Sequence, residues 1–247
     1  MILNPRVRAG WVAFNDPLEG HVDSLYLDTK DLETTADGIL CDSSAAAQAM
    51  AWLKSDGTPA SPAEVDAEWH RVKAMRPGLV WSRYRVGGFL HLAPEELERV
   101  TLQRLDADAE ILAASWPSFT SWPWQAQAAA AALAWGCGPG AQRPGLTSPD
   151  WPYFHADVAR RDWRACATSG QLSWTNGNAG VRPRDMAISA LFLLAAGASW
   201  DEARAAWPAD PVADVAAMAL AGLGLPPDDF DAATTLPTGV SAVGDGE

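Results

Sequence analysis

The chain has 247 residues, 48% apolar and 20% charged, with 20 Gly and 18 Pro. That is ordinary globular composition, so disorder, collagen and coiled coil are excluded for its bulk. Its 18 basic against 31 acidic residues leave a net charge of -13, with no basic stripe of the kind phosphate neutralisation requires, which argues against nucleic acid as a partner.

The opening residues Asn4, Pro5, Arg6 and Arg8 are polar and basic, with no hydrophobic signal region behind them. The longest apolar runs, Ala126 to Trp135 and Met186 to Ala198, fall short of the roughly 20 residues of a spanning helix. The expectation is synthesis in the cytoplasm, without signal peptide or membrane span. Residues 11–42 predict a short helix and then a small antiparallel sheet, because Val22, Leu25 and Leu27 are interspersed with polar residues and Asp28 to Asp37 is rich in turn formers. From Ser43 the pattern turns helical. Ser44 to Leu53 reads as an Ala-rich helix, and Ser61, Pro62 and Glu64 form a capping box with proline at the first helical position. Behind it Val65, Trp69 and Val72 make an apolar stripe.

The next helix begins near Pro94 and runs to about Ser115, long enough to bridge two lobes. After Trp122, Pro123 and Trp124 comes Gln125 to Trp135, apolar all round and therefore central to a helical domain. Helices follow over about Pro152 to Ala167, from Pro183 to near Gly197, from the Ser199/Glu202 cap, and from Pro211 to near Gly222, with a turn around Asn176 to Asn178. The acidic, small-residue stretch 228–247 reads as a flexible tail.

Cys41, Cys137 and Cys166 fit neither a zinc site nor a disulfide framework and read as reduced, buried thiols. His70, His91 and His155 share no ligand spacing, so no metal is expected, and His21 reads as a solvated loop residue. The 13 tryptophans suit dense cores first and sugar-ring stacking second, with Trp122, Trp124, Trp151 and Trp174 nearest to helix ends and loops.

The candidate chemistry lies in the first lobe. Glu19 closes the opening helix near Trp11, Phe14 and Leu18, whereas Asp28 sits in a polar hairpin with Thr34 six residues later. Two carboxyl groups in contrasting surroundings are what glycoside hydrolysis requires, one to protonate the leaving oxygen and one to activate water or attack. The bland alternative is a capping Glu and a turn Asp.

The string Glu19 to Gly38, EGHVDSLYLDTKDLETTADG, resembles the start of the phage-type, bacteriophage T4 lysozyme-like muramidases: Glu-Gly, then Tyr-x-Asp-Thr, then a Thr in the next strand. Pro123 with Gln127 to Gly136 is similar to that family's buried central helix, and Asn178 to Phe192 to its late Pro-Arg helix. The resemblance implies an α+β, lysozyme-like fold over 1–227, with a small antiparallel lobe at about 11–60 and a larger helical lobe at about 94–225 joined by the long helix. It also implies a general acid at Glu19, a water-activating carboxylate at Asp28, a water-holding hydroxyl at Thr34, and support from Tyr26 and Arg184, with Arg182 as the alternative register.

The resemblance further implies a peptidoglycan-degrading muramidase, needing no cofactor, that acts on glycan strands of the cell wall as a phage-derived endolysin or on a phage tail or contractile injection particle. A structural or wall-binding component of the same fold, and a hydrolase of another amino-sugar polymer, are the alternatives. The chain departs from the family at Asp31 and Ala36, where the family has glycine. Because glycine permits positive φ, these predict a reshaped hairpin, and Asp31, Glu33 and Asp37 predict extra negative charge beside it.

Overall fold

The computed structural model describes residues 2–86, 89–140, 145–172, 179–205, 207 and 211–225. The expected tail, Trp174 and the turn at Asn176 to Asn178 lie outside the described residues. The protein is α+β: two small antiparallel sheets, of three and two strands, accompany a mainly helical remainder. Among the described residues no helix is long and apolar enough to cross a membrane. Two compact units are present, residues 19–104 in one, and residues 2–18 with 105–225 in the other.

Helix α1 (Pro5–Glu19) ends on Glu19, and Gly20, at φ 76°, turns the chain out of it. Strands β1 (Val22–Leu27), β2 (Glu33–Ala36) and β3 (Ile39–Leu40) follow in that spatial order. Tyr26 pairs with Thr34 and Leu27 with Glu33, whereas the next pair is Val22 with Ala36, so β1 bulges between Val22 and Tyr26. The bulge lets Val22, Leu25 and Leu27 all reach the core despite their uneven spacing.

The Ala-rich helix is shorter than its composition predicts. Helix α2 (Ser44–Gln48), capped by Ser43, gives way to β4 (Trp52–Leu53), which pairs with β5 (His91–Leu92). The Trp52 indole N–H donates to the Ala47 carbonyl at 2.7 Å, and the Ala51 N–H to Glu96 at 2.7 Å. Long-range pairing thus outweighs local helix propensity here. Helix α3 (Pro62–Lys73) carries the expected capping box and packs on β1 and β2, and a 3₁₀ turn over Trp81–Arg85 packs on β1. Tyr84 in that turn is fully buried, its hydroxyl 2.8 Å from the Arg76 carbonyl and 3.1 Å from that of Leu27. Helix α4 (Pro94–Ser115) spans the expected residues and buries Leu97, Val100, Leu105, Ala109 and Leu112 on one stripe.

In the helical unit, α5 (Trp124–Cys137) is buried continuously from Ala126 to Trp135. The segment expected as one helix over Pro152 to Ala167 is two, α6 (Pro152–Arg160) and α7 (Trp163–Ser169): Arg161 takes φ 54° and Asp162 caps the second by accepting from the Ala165 N–H. Helix α8 (Arg182–Ala195) packs against α5 and α7, and also against α9 (Trp200–Arg204), which has its capping box, and α10 (Pro211–Gly222). Glycines let α1 and α10 touch, since a Cβ on Gly10 would stand 2.5 Å from the Gly222 carbonyl oxygen. Trp11, Trp122, Trp135 and Trp163 are buried in this unit.

Candidate functional site

Four of the five residues singled out from the sequence, Glu19, Tyr26, Asp28 and Thr34, belong to the unit of residues 19–104. The hairpin pairs Tyr26 with Thr34 and puts Asp28 at its turn, and Glu19 ends the helix that leads into it. Tyr26 and Thr34 are cross-strand partners, so their side chains share a face, and Asp28 leaves β1 two residues after Tyr26. Burial first, and then the Glu19, Asp28 and Asp37 carboxylates and the Cys41 thiol, push the Tyr26 phenol well above its ordinary pKa. Tyr26 is therefore a neutral phenol that feels the charge of both candidate carboxylates.

Asp28 closes the hairpin turn. Its Oδ1 accepts from the Lys30 N–H at 2.8 Å and the Leu32 N–H at 2.9 Å, fixing the carboxylate plane. Thr34 Oγ1 donates to the Leu32 carbonyl at 3.1 Å, which leaves the hydroxyl oxygen as an acceptor for a water proton. Glu19 Oε2 lies 3.3 Å from the point where a Cβ on Gly38 would stand, and Gly38 itself takes φ 82°. A side chain at position 38 would thus be strained in its backbone and would press on the Glu19 carboxyl.

Positions 31 and 36, where the sequence predicts a reshaped hairpin, both lie in the left-handed region. Asp31 takes φ 62° and Ala36 φ 49°, the conformation glycine would supply, although both carry a Cβ. A side chain in the left-handed region costs roughly 1–2 kcal/mol, less for Asp than for Ala. Neighbouring contacts hold both positions. Lys73 Nζ donates to the Asp31 carbonyl at 2.7 Å and lies 3.3 Å from its carboxylate, whereas Ala36 is flanked by Thr35, which donates to the Val22 carbonyl at 3.3 Å, and by the anchored Asp37.

The expected extra charge is also largely engaged. Glu33 is buried with Lys73 3.2 Å away, and the Lys73 ammonium is held above its ordinary pKa: desolvation pulls it down, but hydrogen bonds to Glu33 and Asp31 outweigh that. Asp37 is fully buried, with His21 Nδ1 at 2.8 Å and the Thr101 hydroxyl donating at 3.3 Å. His21 is therefore a partner of Asp37 rather than a loop residue in solvent alone.

Arg184 lies in the other unit, on α8. It is 2% exposed and donates to Asn15 Oδ1 at 3.0 Å and to the Ala132 carbonyl at 3.4 Å. Arg182, the alternative, opens the same helix. The cysteines are free, and burial pushes each thiol up to about 12. Cys137 Sγ contacts the Gly138 carbonyl while His155 Nε2 is 2.7 Å from the Leu146 carbonyl, so no nucleophile and base are paired there.

Lys73 and Arg104 are the residues beside the candidate site that the sequence did not reveal. Arg104, on α4, donates from Nη1 to the Gly38 carbonyl at 2.9 Å. Its partner is 66 residues away, and no local spacing marks such a contact. Comparison of the chain with models of known protein families, with curated proteins and with solved structures finds no match.

Proposed function

We propose that the protein is a muramidase of lysozyme-like fold that hydrolyses the glycan strand of peptidoglycan. The observation that carries this reading is the hairpin constellation: Tyr26 stands opposite Thr34, and the Glu19 and Asp28 carboxylates both act on the Tyr26 phenol. Two carboxyl groups and a water-accepting hydroxyl are the protein groups that glycoside hydrolysis needs.

In this mechanism Glu19 delivers a proton to the glycosidic oxygen as the bond to the anomeric carbon breaks. A water held by Thr34 Oγ1 attacks that carbon and passes its proton to Asp28, leaving a sugar hydroxyl and a new reducing end. Because Oδ1 of Asp28 is occupied by two backbone N–H groups, Oδ2 is the oxygen that takes the proton. Attack by water rather than by Asp28 inverts the anomeric centre. Tyr26 stays neutral beside the two carboxylates, because burial and their negative charge both hold its proton. The reaction so written uses only protein groups and water, and Arg184 acts as a support in the helical unit. Delivery by a phage-derived lysis system, or on a phage tail or contractile injection particle, belongs to the same reading.

The second reading, a structural or wall-binding component, is favoured by the net charge of -13, since like charge slows approach to anionic murein. Purified peptidoglycan separates the two. The muramidase releases reducing ends of α configuration from β-linked strands, whereas a bound but uncut polymer supports the second reading. Retention of the β configuration contradicts the role given to Asp28.

A further inference from the structure

We infer that Arg104 is a positioning residue for Glu19, which fixes the Gly38 backbone against the Glu19 carboxyl and sets the pH range in which that carboxyl can act as an acid. The inference rests on the muramidase reading. Three observations carry it. Arg104 Nη1 donates to the Gly38 carbonyl at 2.9 Å. The point where a Cβ on Gly38 would stand is 3.3 Å from Glu19 Oε2 and 3.9 Å from that same nitrogen, so carboxylate and guanidinium both lie within 4 Å of one point. Gly38 holds φ 82°, a backbone state that its anchored carbonyl helps to define.

The surroundings explain why a cation belongs there. Tyr26, acted on by Glu19, is also acted on by Asp28, Asp37 and Cys41. Burial keeps the Cys41 thiol neutral and Tyr26 is neutral too, Asp37 is in contact with His21, and Asp16 precedes Glu19 on the same helix. A carboxyl amid other carboxylates holds its proton to higher pH, and a nearby guanidinium opposes this by favouring the ionised form. Arg104 also fixes backbone position, because its Nη1 bonds the Gly38 carbonyl beside Glu19. It acts through Gly38 and through charge, and takes no part in bond making.

The test uses the full chain with Arg104→Gln, and with Arg104→Lys as the conservative variant. The Glu19 carboxyl signal, assigned by its loss in Glu19→Gln, is followed by carbon NMR across pH. In Arg104→Gln it should titrate about one pH unit higher than in the parent, and the high-pH limb of kcat/KM for reducing-end release should move up by the same amount. Arg104→Lys should restore most of both. If Arg104→Gln does not fold, Arg104→Met, which keeps the apolar stem, gives the same comparison. A folded Gln or Met variant whose Glu19 signal titrates as in the parent overturns the inference. If the parent releases no reducing ends, the muramidase reading fails, while the Glu19 titration still decides the role of Arg104.

Discussion

Ala36 carries the larger share of the hairpin's backbone strain, because Asp tolerates the left-handed region better than Ala. It is 1% exposed, holds φ 49° and carries a Cβ that this conformation disfavours. Ala36→Gly should stabilise the protein by about 0.5–1 kcal/mol, the left-handed cost less the extra chain entropy of glycine. Urea unfolding should show a higher midpoint at unchanged slope; a lower midpoint would mean that position 36 is not strained.

Asp185 couples the stability of the helical unit to pH. Burial raises its carboxyl to about 6, against the opposing pull of the Leu172 N–H, which it accepts at 2.7 Å, and of Arg184. The unfolded carboxyl titrates near 3.8. The folded protein therefore keeps a proton between about pH 4 and 6 that the unfolded chain has lost. Stability from this group is complete below the unfolded value and falls as pH rises through the folded one, by about 2–3 kcal/mol. Asp185→Asn keeps the acceptor for Leu172 and should flatten the slope of unfolding free energy over that window. An unchanged slope contradicts the assignment.

At the scale of elements, the buried polar group of α5 ties its end to the rest of the unit. Gln127 is 2% exposed; its Oε1 accepts from the Asn4 N–H at 2.7 Å, and its Nε2 donates to the carbonyls of Phe119 and Trp122 at 3.1 and 3.4 Å. Gln127→Leu is close to isosteric and strands these backbone groups, so it should cost about 2–4 kcal/mol, measured by denaturant unfolding. A loss below 1 kcal/mol would show that the groups find other partners.

Elements with a strong local signal were legible in the sequence. The capping boxes at Ser61 and Ser199 and the span of α4 needed only spacing and cap chemistry. What was not legible depended on distant partners. Alanines 45–47 and 49 favour helix, yet Trp52 and Leu53 leave it to pair with strand β5. Arg161 in the left-handed region splits α6 from α7, where apolar periodicity ran on through both. At the candidate site, Glu19, Tyr26, Asp28 and Thr34 could be named because one short string holds them. Lys73 and Arg104 reach it from α3 and α4, and the positive φ at Asp31 and Ala36 ran against what residue type alone predicts.

For the whole molecule, net charge bears directly on the proposed attack on peptidoglycan. At -13 the protein is repelled by anionic murein over a Debye length of about 30 Å at 0.01 M salt and about 10 Å at 0.1 M. The rate of reducing-end release should therefore rise between these ionic strengths; a rate that falls would place a cationic surface at the point of contact. Glu33→Gln is a poor control for such work because Glu33 is buried against Lys73. Glu98, exposed on α4, is the better choice. If Glu19 is the acid of a glycan hydrolase, its role is read by counting reducing ends released from purified peptidoglycan by the parent, Glu19→Gln and Glu98→Gln at 0.1 M salt. The parent and Glu98→Gln should cut at similar rates, and Glu19→Gln should be slower by about 10²- to 10⁴-fold, the worth of a positioned proton transfer. A folded parent that releases no reducing ends at any pH, or a Glu19→Gln variant as active as the parent, would contradict it.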